Sequence, residues 1–536
     1  MAGSSALSVL KGMVRLMKVK NTILGLVVLS LLIATVPLGC GPAQIGEKQT
    51  YTIGDVQGDW GYPTPFLAYP RGPGYVRTTY LFDTLVWKDD QGFVPALAEK
   101  WEYHEEDLSY TFDLREDVKW HDGTSFSAED VVFSFEYLKK HPYNWVNFDS
   151  IEEVIKLDEY SVEIKMEEPD AAFLNNIAGV MHIIPKHIWE SVENPAEFSD
   201  PEAVIGTGPY KLQDYQREKG YYRYAAFEDY YSGSPAFEEL LMVKVSDAQM
   251  AVQRGDVNFM QVQPEAVSQL EERDLLLISG NHNWNLKLMF NHQEEPFKQK
   301  EFRHAVAHAI DLENLVERAL RGHGLPGSPG LISPDSYWFN PELPDYSYDP
   351  EKAEEMFQGL GYEKEGSILQ GPQGELNFEL IVYEDYAREA EIVKEFLEQA
   401  GIKITVRSME QSVVDTRVQN RDFDLAINGH GGVGGDPAGI PRFIVGEERP
   451  HINARYNEDP VLIETAKAQG KEVDEEKRLE LVQEMQERFA EPLPAYTLYY
   501  PTWYYAHDGA VDWFFTHDGI GAGTPIPLNK LALLEN

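Results

Sequence analysis

The chain has 536 residues, 43% of them hydrophobic and 12% aromatic, with 89 acidic against 46 basic residues and a net charge of −43. That balance excludes a nucleic-acid binder, because phosphate affinity needs clustered Lys and Arg, and the single cysteine excludes an intrachain disulfide. The length supports two or three domains with cores of their own, and the acidity suits a protein outside the cytoplasm or from a salty habitat.

Residues 1–39 hold Lys11, Arg15, Lys18 and Lys20, no acidic residue, and an apolar run from Thr22 to Gly39. A basic region followed by an apolar one reads as a secretion signal. Pro37-Leu38-Gly39-Cys40 resembles a lipobox, although Pro37 stands where Leu is usual; this makes Cys40 a lipidation site and residues 40–50 a lipidated tether. The alternative is an uncleaved anchor, since the run is about long enough to span a bilayer. Both readings place the protein outside the cytoplasm, tethered to the cell membrane.

Tyr51 to Asp55 reads as a first strand, followed by an irregular aromatic loop from Gly58 to Arg77 and an amphipathic helical pattern from Thr78 to Val86. A loop this long and aromatic is expected to face a ligand. Tyr110, Phe112 and Leu114 alternate with polar residues, the period of a half-buried strand. Asp122-Gly123 is a turn, and Ser127 with Asp130 three residues on resembles a capping box that opens a helix bearing Val131, Val132, Phe135 and Leu138 on one face. Ile151 to Glu167 reads as a hairpin, Pro169 to Ile177 as a short helix and Ile183 to His187 as a strand end. Gly206 to Tyr210 is a turn leading into strands through Tyr224, and Ser246 to Arg254 is helical. After the strand Leu286 to Asn291, helices (Phe302 to Leu320, Pro350 to Leu360, Ala387 to Ala400, Asp474 to Phe489) alternate with strands (Glu375 to Tyr383, Ile402 to Arg407, Phe423 to Asn428), the pattern of an α/β architecture. Ala495 to Phe515 returns to strand.

Gly429 to Gly434 matches G-x-G-x-x-G, but Gly435-Asp436-Pro437-Ala438-Gly439 after it is poor helix, so a dinucleotide site is not expected; a backbone-rich loop that lets a ligand approach closely is. His304 and His308 have the i, i+4 spacing of shared metal ligands, yet nothing completes a site, and a solvated helix face is expected. No nucleophile elbow, phosphate loop or zinc motif is present, so no catalytic residue, metal or cofactor is assigned. The many carboxylates leave an exported hydrolase as the alternative of another class.

Several segments together resemble the family 5 extracellular solute-binding proteins of ABC transporters, the group of the dipeptide-, oligopeptide- and nickel-binding proteins. They are Leu114-Arg115, Val118-Lys119-Trp120, Asp122-Gly123-Thr124 and Ala128 to Val131; Gly206 to Tyr210; Phe302 to Ala305 with Ala309-Ile310-Asp311; Tyr348 to Ala353; and Ala400-Gly401-Ile402. The resemblance covers roughly residues 50 to 520 and implies an α/β, two-lobed periplasmic-binding-protein-like fold (type II, cluster C-like). Lobe I would take residues 50–288, with an extra subdomain at about 80–200, and 500–536; lobe II would take 289–499, with hinges near Leu286–Asn291 and Leu498–Trp503. It implies capture of a solute by lobe closure and delivery to the permease subunits of an ABC importer, by a monomer, with a short peptide as the default ligand and an oligosaccharide or nickel chelate as alternatives. The cleft would be lined by Arg71 and Tyr75, Trp145, Met260 and Gln261, and His430, Gly431, Val433 and Asp436. Val433 stands where the peptide binders carry the Asp that pairs with the peptide α-amino group, and Ala438 where nickel binders carry His. Trp120 and Asp122 are expected to be scaffold.

Overall fold

The computed structural model describes residues 50–535 except 142, 274, 281, 372, 373 and 522. The signal, Cys40 and the tether before Thr50 lie outside the described residues. Two large sheets organise the rest. The first has seven strands in the spatial order Leu276–Gly280, Trp503–His507, Phe259–Val262, Thr50–Asp55, Glu239–Lys244, Tyr221–Ala226, Tyr210–Gln216. The second has six, in the order Gly324–Pro326, Ala495–Pro501, Trp284–Phe290, Leu425–Gly431, Asn377–Tyr383, Lys403–Met409. Each sheet has its own apolar cores, so the protein is an α/β molecule of two lobes.

Lobe I also carries a four-stranded antiparallel sheet ordered Ala98–His104, Ser109–Leu114, Ser161–Met166, Ile151–Asp158. The helix Ala128–Lys140 packs on it. Ser127 caps that helix with a full capping box, in which Asp130 accepts from the Ser127 N–H at 2.9 Å. Val131, Phe135 and Leu138 are buried, and Val132 is half-buried. Trp120 is fully buried and Asp122 accepts from Thr124 N (2.9 Å) and bonds His187 (2.8 Å), which makes both scaffold. At Gly206 an added Cβ would lie 1.9 Å from the carbonyl oxygen of Leu81, so the chain crosses itself there too closely for any side chain.

In lobe II the parallel strands Asn377–Tyr383 and Lys403–Met409 are joined by the helix Ala387–Ala400, which ends at Gly401 with φ +101°. Ala390, Val393, Phe396 and Leu397 form its buried face.

Four local expectations are corrected. The Thr78 to Val86 pattern is not a helix: the helix is Gly72–Thr79, and Tyr80, Leu81, Phe82 and Leu85 are buried on all sides rather than along one stripe. Ile183 to His187 is not a strand end; Pro185 leads into the short helix Lys186–Trp189. Phe302 to Leu320 is two helices, Lys300–His308 and Leu312–Leu320, because Asp311 caps the second by accepting from Asn314 N at 2.9 Å. His304 and His308 do not form a solvated face: His308 is buried against the Ser347 carbonyl (2.8 Å), and His304 bonds the Glu491 carbonyl (2.7 Å).

The chain passes between the lobes at His282 and Asn283 and again at Thr502. The first crossing lies just before Trp284–Phe290, a central strand of lobe II. The crossings are bonded to each other, His282 Nε2 to Thr502 Oγ1 at 2.9 Å.

Candidate ligand-binding site

Between the lobes lies a cavity of about 610 Å³. Lobe I contributes Trp145, Asp149, Asp170 and Asn175 to its wall; lobe II contributes Asp436 and Arg442. At its edge the lobes touch directly: Ala171 N donates to the Gly470 carbonyl at 2.9 Å, and Lys471 pairs with Glu168.

On the lobe I side, Trp145 follows the capped helix and rests on Tyr75, with ring centroids 4.8 Å apart. Tyr75 is itself held by donating to the Val180 carbonyl at 2.8 Å. Asp170 accepts from Ser150 Oγ and Ala172 N, both at 3.0 Å. Burial raises its carboxyl above the ordinary value; those two donors work against the shift, and Asp436 nearby adds to it. Asn175 sits in the π-helical turn Leu174–Ala178 and accepts from the Lys88 ammonium at 2.6 Å. Burial lowers Lys88 to about 8, with Asp518 and Asp436 pulling the other way.

On the lobe II side, the strand Leu425–Gly431 runs into a glycine-rich turn. Asp436 caps the turn Pro437–Gly439 by accepting from Ala438 N at 2.8 Å. It is held in a fork by Arg478, at 2.5 and 3.1 Å, and both side chains are nearly buried. Its charge is therefore answered within the protein. Asn283, at the first crossing, ties the turn to both lobes: its side chain accepts from Gly434 N at 2.7 Å and donates to the Gly523 carbonyl at 2.6 Å.

The description "Bacterial extracellular solute-binding proteins, family 5 Middle" matches residues 92–449. The chain belongs to this family. It is 29% identical over 381 residues to the dipeptide-binding protein of Escherichia coli (strain K12), covering 64% of this chain and 68% of the relative. Among solved structures it is similar to the oligopeptide-binding protein AppA of Bacillus subtilis in complex with a nonapeptide, with TM-score 0.69, 22% identity, and coverage of 91% of this chain and 100% of that one. It is also similar to NikA of Brucella suis in complex with Fe(III)-EDTA, with TM-score 0.76, 20% identity, and coverage of 89% and 99%.

In this family 5 protein the cavity brings together only part of the expected set. Trp145 and Asp436 line it. Arg71 is exposed at the start of the helix Gly72–Thr79, near enough to lobe II for its charge to act on His451. Tyr75 stands behind Trp145, and Gln261 is exposed on the strand Phe259–Val262. Gly431 ends the lobe II strand and pairs with Trp284. Three expectations are corrected. Met260 is buried in the apolar cluster under the lobe I sheet, because it alternates with Gln261. Val433 is buried in a lobe II core. His430 is buried, stacked on Phe443 at 3.9 Å, and bonded to the Lys287 ammonium at 2.8 Å. Burial lowers both groups, Lys287 to about 7.

Asp170, Asn175 and Arg442 were not expected at the site. Glu167-Glu168-Pro169-Asp170 marks the end of a strand, which was the available signal for Asp170; nothing local distinguishes Arg442.

Proposed function

We propose that this chain is the membrane-tethered capture protein of an ABC importer, without turnover of its own, and that it closes its two lobes on a short peptide for delivery to the permease. The observation that carries the reading is the cavity walled by both lobes. A ligand there touches both walls only when they are together, so its binding energy shifts the open and closed populations. The volume, about 610 Å³, falls within the range of small-ligand sites, about 300–1,000 Å³. The peptide reading is supported by the family and by the relatives that bind peptides. It also fits the wall: amides and carboxylates suit a peptide backbone and its ammonium, and Trp145 supplies an apolar face. With Val433 in the core and Asp436 paired by Arg478, we assign the ammonium to Asp170, a half-buried carboxylate of the lobe I wall.

Calorimetry with di- to pentapeptides, oligosaccharides and nickel chelates tests this. Peptide binding in the micromolar range or tighter is expected, whereas no peptide response beside a clear sugar or chelate response overturns it. The tether reading assigns Cys40 as the lipid attachment site. Cys40→Ala should move the protein from the membrane to the soluble fraction, and unchanged fractionation overturns it.

A further inference from the structure

Arg442 lies in the short helix Pro441–Ile444 and lines the cleft from lobe II. Its Nε is buried without a hydrogen-bond partner, and among the described residues no carboxylate or carbonyl pairs with the guanidinium. What surrounds it is a seat rather than a partner. Cζ stands 5.0 Å from the centre of the Phe443 ring, and Cβ atoms added at Gly432 and Gly439 would come within 3.4 and 3.3 Å of Nη2. Phe443 is in turn fixed by His430, whose ring stacks on it at 3.9 Å.

Arg442 is half-buried, and the fully buried arginines differ from it in what their terminal nitrogens meet, although Arg77 and Arg455 also leave Nε without a partner. Arg77 pairs with Asp55, and Arg478 with Asp436. Arg303 donates to the carbonyls of Pro492, Leu493, Phe297 and Lys298, and Arg455 to those of Val418 and Gln419. A guanidinium withdrawn from water is costly unless it is paired. Arg442 is the one of these that faces the cleft, and it stays charged at neutral pH although burial lowers it to about 10.

We infer that Arg442 is the anion anchor of the cleft and that the ligand carries a carboxylate, which the guanidinium fork takes in a bidentate grip. The fork matches a carboxylate in plane and spacing. The opposite wall presents Asp149, Asp170 and Asn175, so the anionic group belongs to a ligand that is cationic or neutral elsewhere. A short peptide meets this with its free C-terminus on Arg442 and its ammonium on the acidic wall. In that form the inference rests on the peptide reading above; the carboxylate anchor itself does not.

The test is a set of di- and tripeptides, each as free acid and as C-terminal amide, titrated into the purified chain and into Arg442→Met and Arg442→Lys. In the unaltered protein the acid should bind roughly ten-fold or more tighter than its amide. The ratio should fall to about one in Arg442→Met and keep an intermediate value in Arg442→Lys, which also serves if the Met variant does not fold. Equal affinity of acid and amide for the unaltered protein overturns the inference. So does a loss in Arg442→Met that is the same for both forms, which is what a purely structural arginine would give. If no peptide binds in either form, the peptide reading fails and a second arm decides the anchor. N-acetylglycine at millimolar concentration should raise the melting temperature more than N-acetylglycinamide, and only when Arg442 is present; equal responses overturn it.

Discussion

Asp170 and His430 are both titratable side chains near the cleft, yet the structure gives them opposite duties. Asp170 faces the cavity with its carboxyl raised by burial. If it holds a ligand ammonium it must be ionised, so affinity should fall as pH is lowered through its raised value, starting above the ordinary Asp value of about 3.9. Asp170→Asn should weaken binding at pH 7 and flatten that profile in calorimetry from pH 7 to 4. On stability the same shift acts the other way: the protonated carboxyl favours the fold in acid, and that contribution is lost as pH rises through the folded value. His430 points into lobe II and accepts from a buried ammonium. His430→Ala should cost about 2 kcal/mol of stability in urea unfolding, because among the described residues Lys287 then keeps only the Ile452 carbonyl as a partner. Trp145→Ala should leave the unfolding midpoint nearly unchanged and weaken ligand binding, since Trp145 is half-buried and its ring borders the cavity.

At the scale of elements, the helix Ala128–Lys140 sets where Trp145 emerges. Its start is held by reciprocal bonds between Ser127 and Asp130, and Asp130 also accepts from Lys186 N at 3.0 Å, joining the helix to the segment before Trp189. Ser127→Ala should therefore destabilise by about 1 kcal/mol, and Asp130→Ala by more, because it removes both bonds. Equilibrium denaturation of the two variants checks the order. The glycine-rich turn after the strand Leu425–Gly431 is placed by Asn283 from the first crossing, so the cleft wall and the connection between lobes are one bonded unit.

For the molecule as a whole, lobe I is closed by the end of the chain. The strand Trp503–His507 inserts between Leu276–Gly280 and Phe259–Val262. Lys530, fully buried, pairs with the equally buried Asp83, and Asn529 accepts from Trp87 Nε1 at 2.9 Å. Lys530→Met would leave Asp83 buried with, among the described residues, only Thr207 and Tyr230 as donors. The expected loss is about 3–5 kcal/mol, read in thermal or chemical unfolding, with ligand affinity affected little because the pair lies outside the cavity.

Many of the regular elements, and the family, were legible in the residues alone. Alternation marked the strand Ser109–Leu114, and a capping pattern with an apolar face marked the helix Ala128–Lys140, because these signals are local and short-ranged. The ordered motifs carried the two-lobed fold. Which residues meet at the cleft depends on the folded chain. Met260 and Val433 are apolar and turn to the cores, a choice made by strand alternation and by packing around a turn. Asp436 looks free in sequence but is answered by Arg478, more than forty residues away. Arg442 is one arginine among many until the fold withholds a partner from it. Charge pairing and burial are properties of the three-dimensional neighbourhood, and no local pattern of residues contains them.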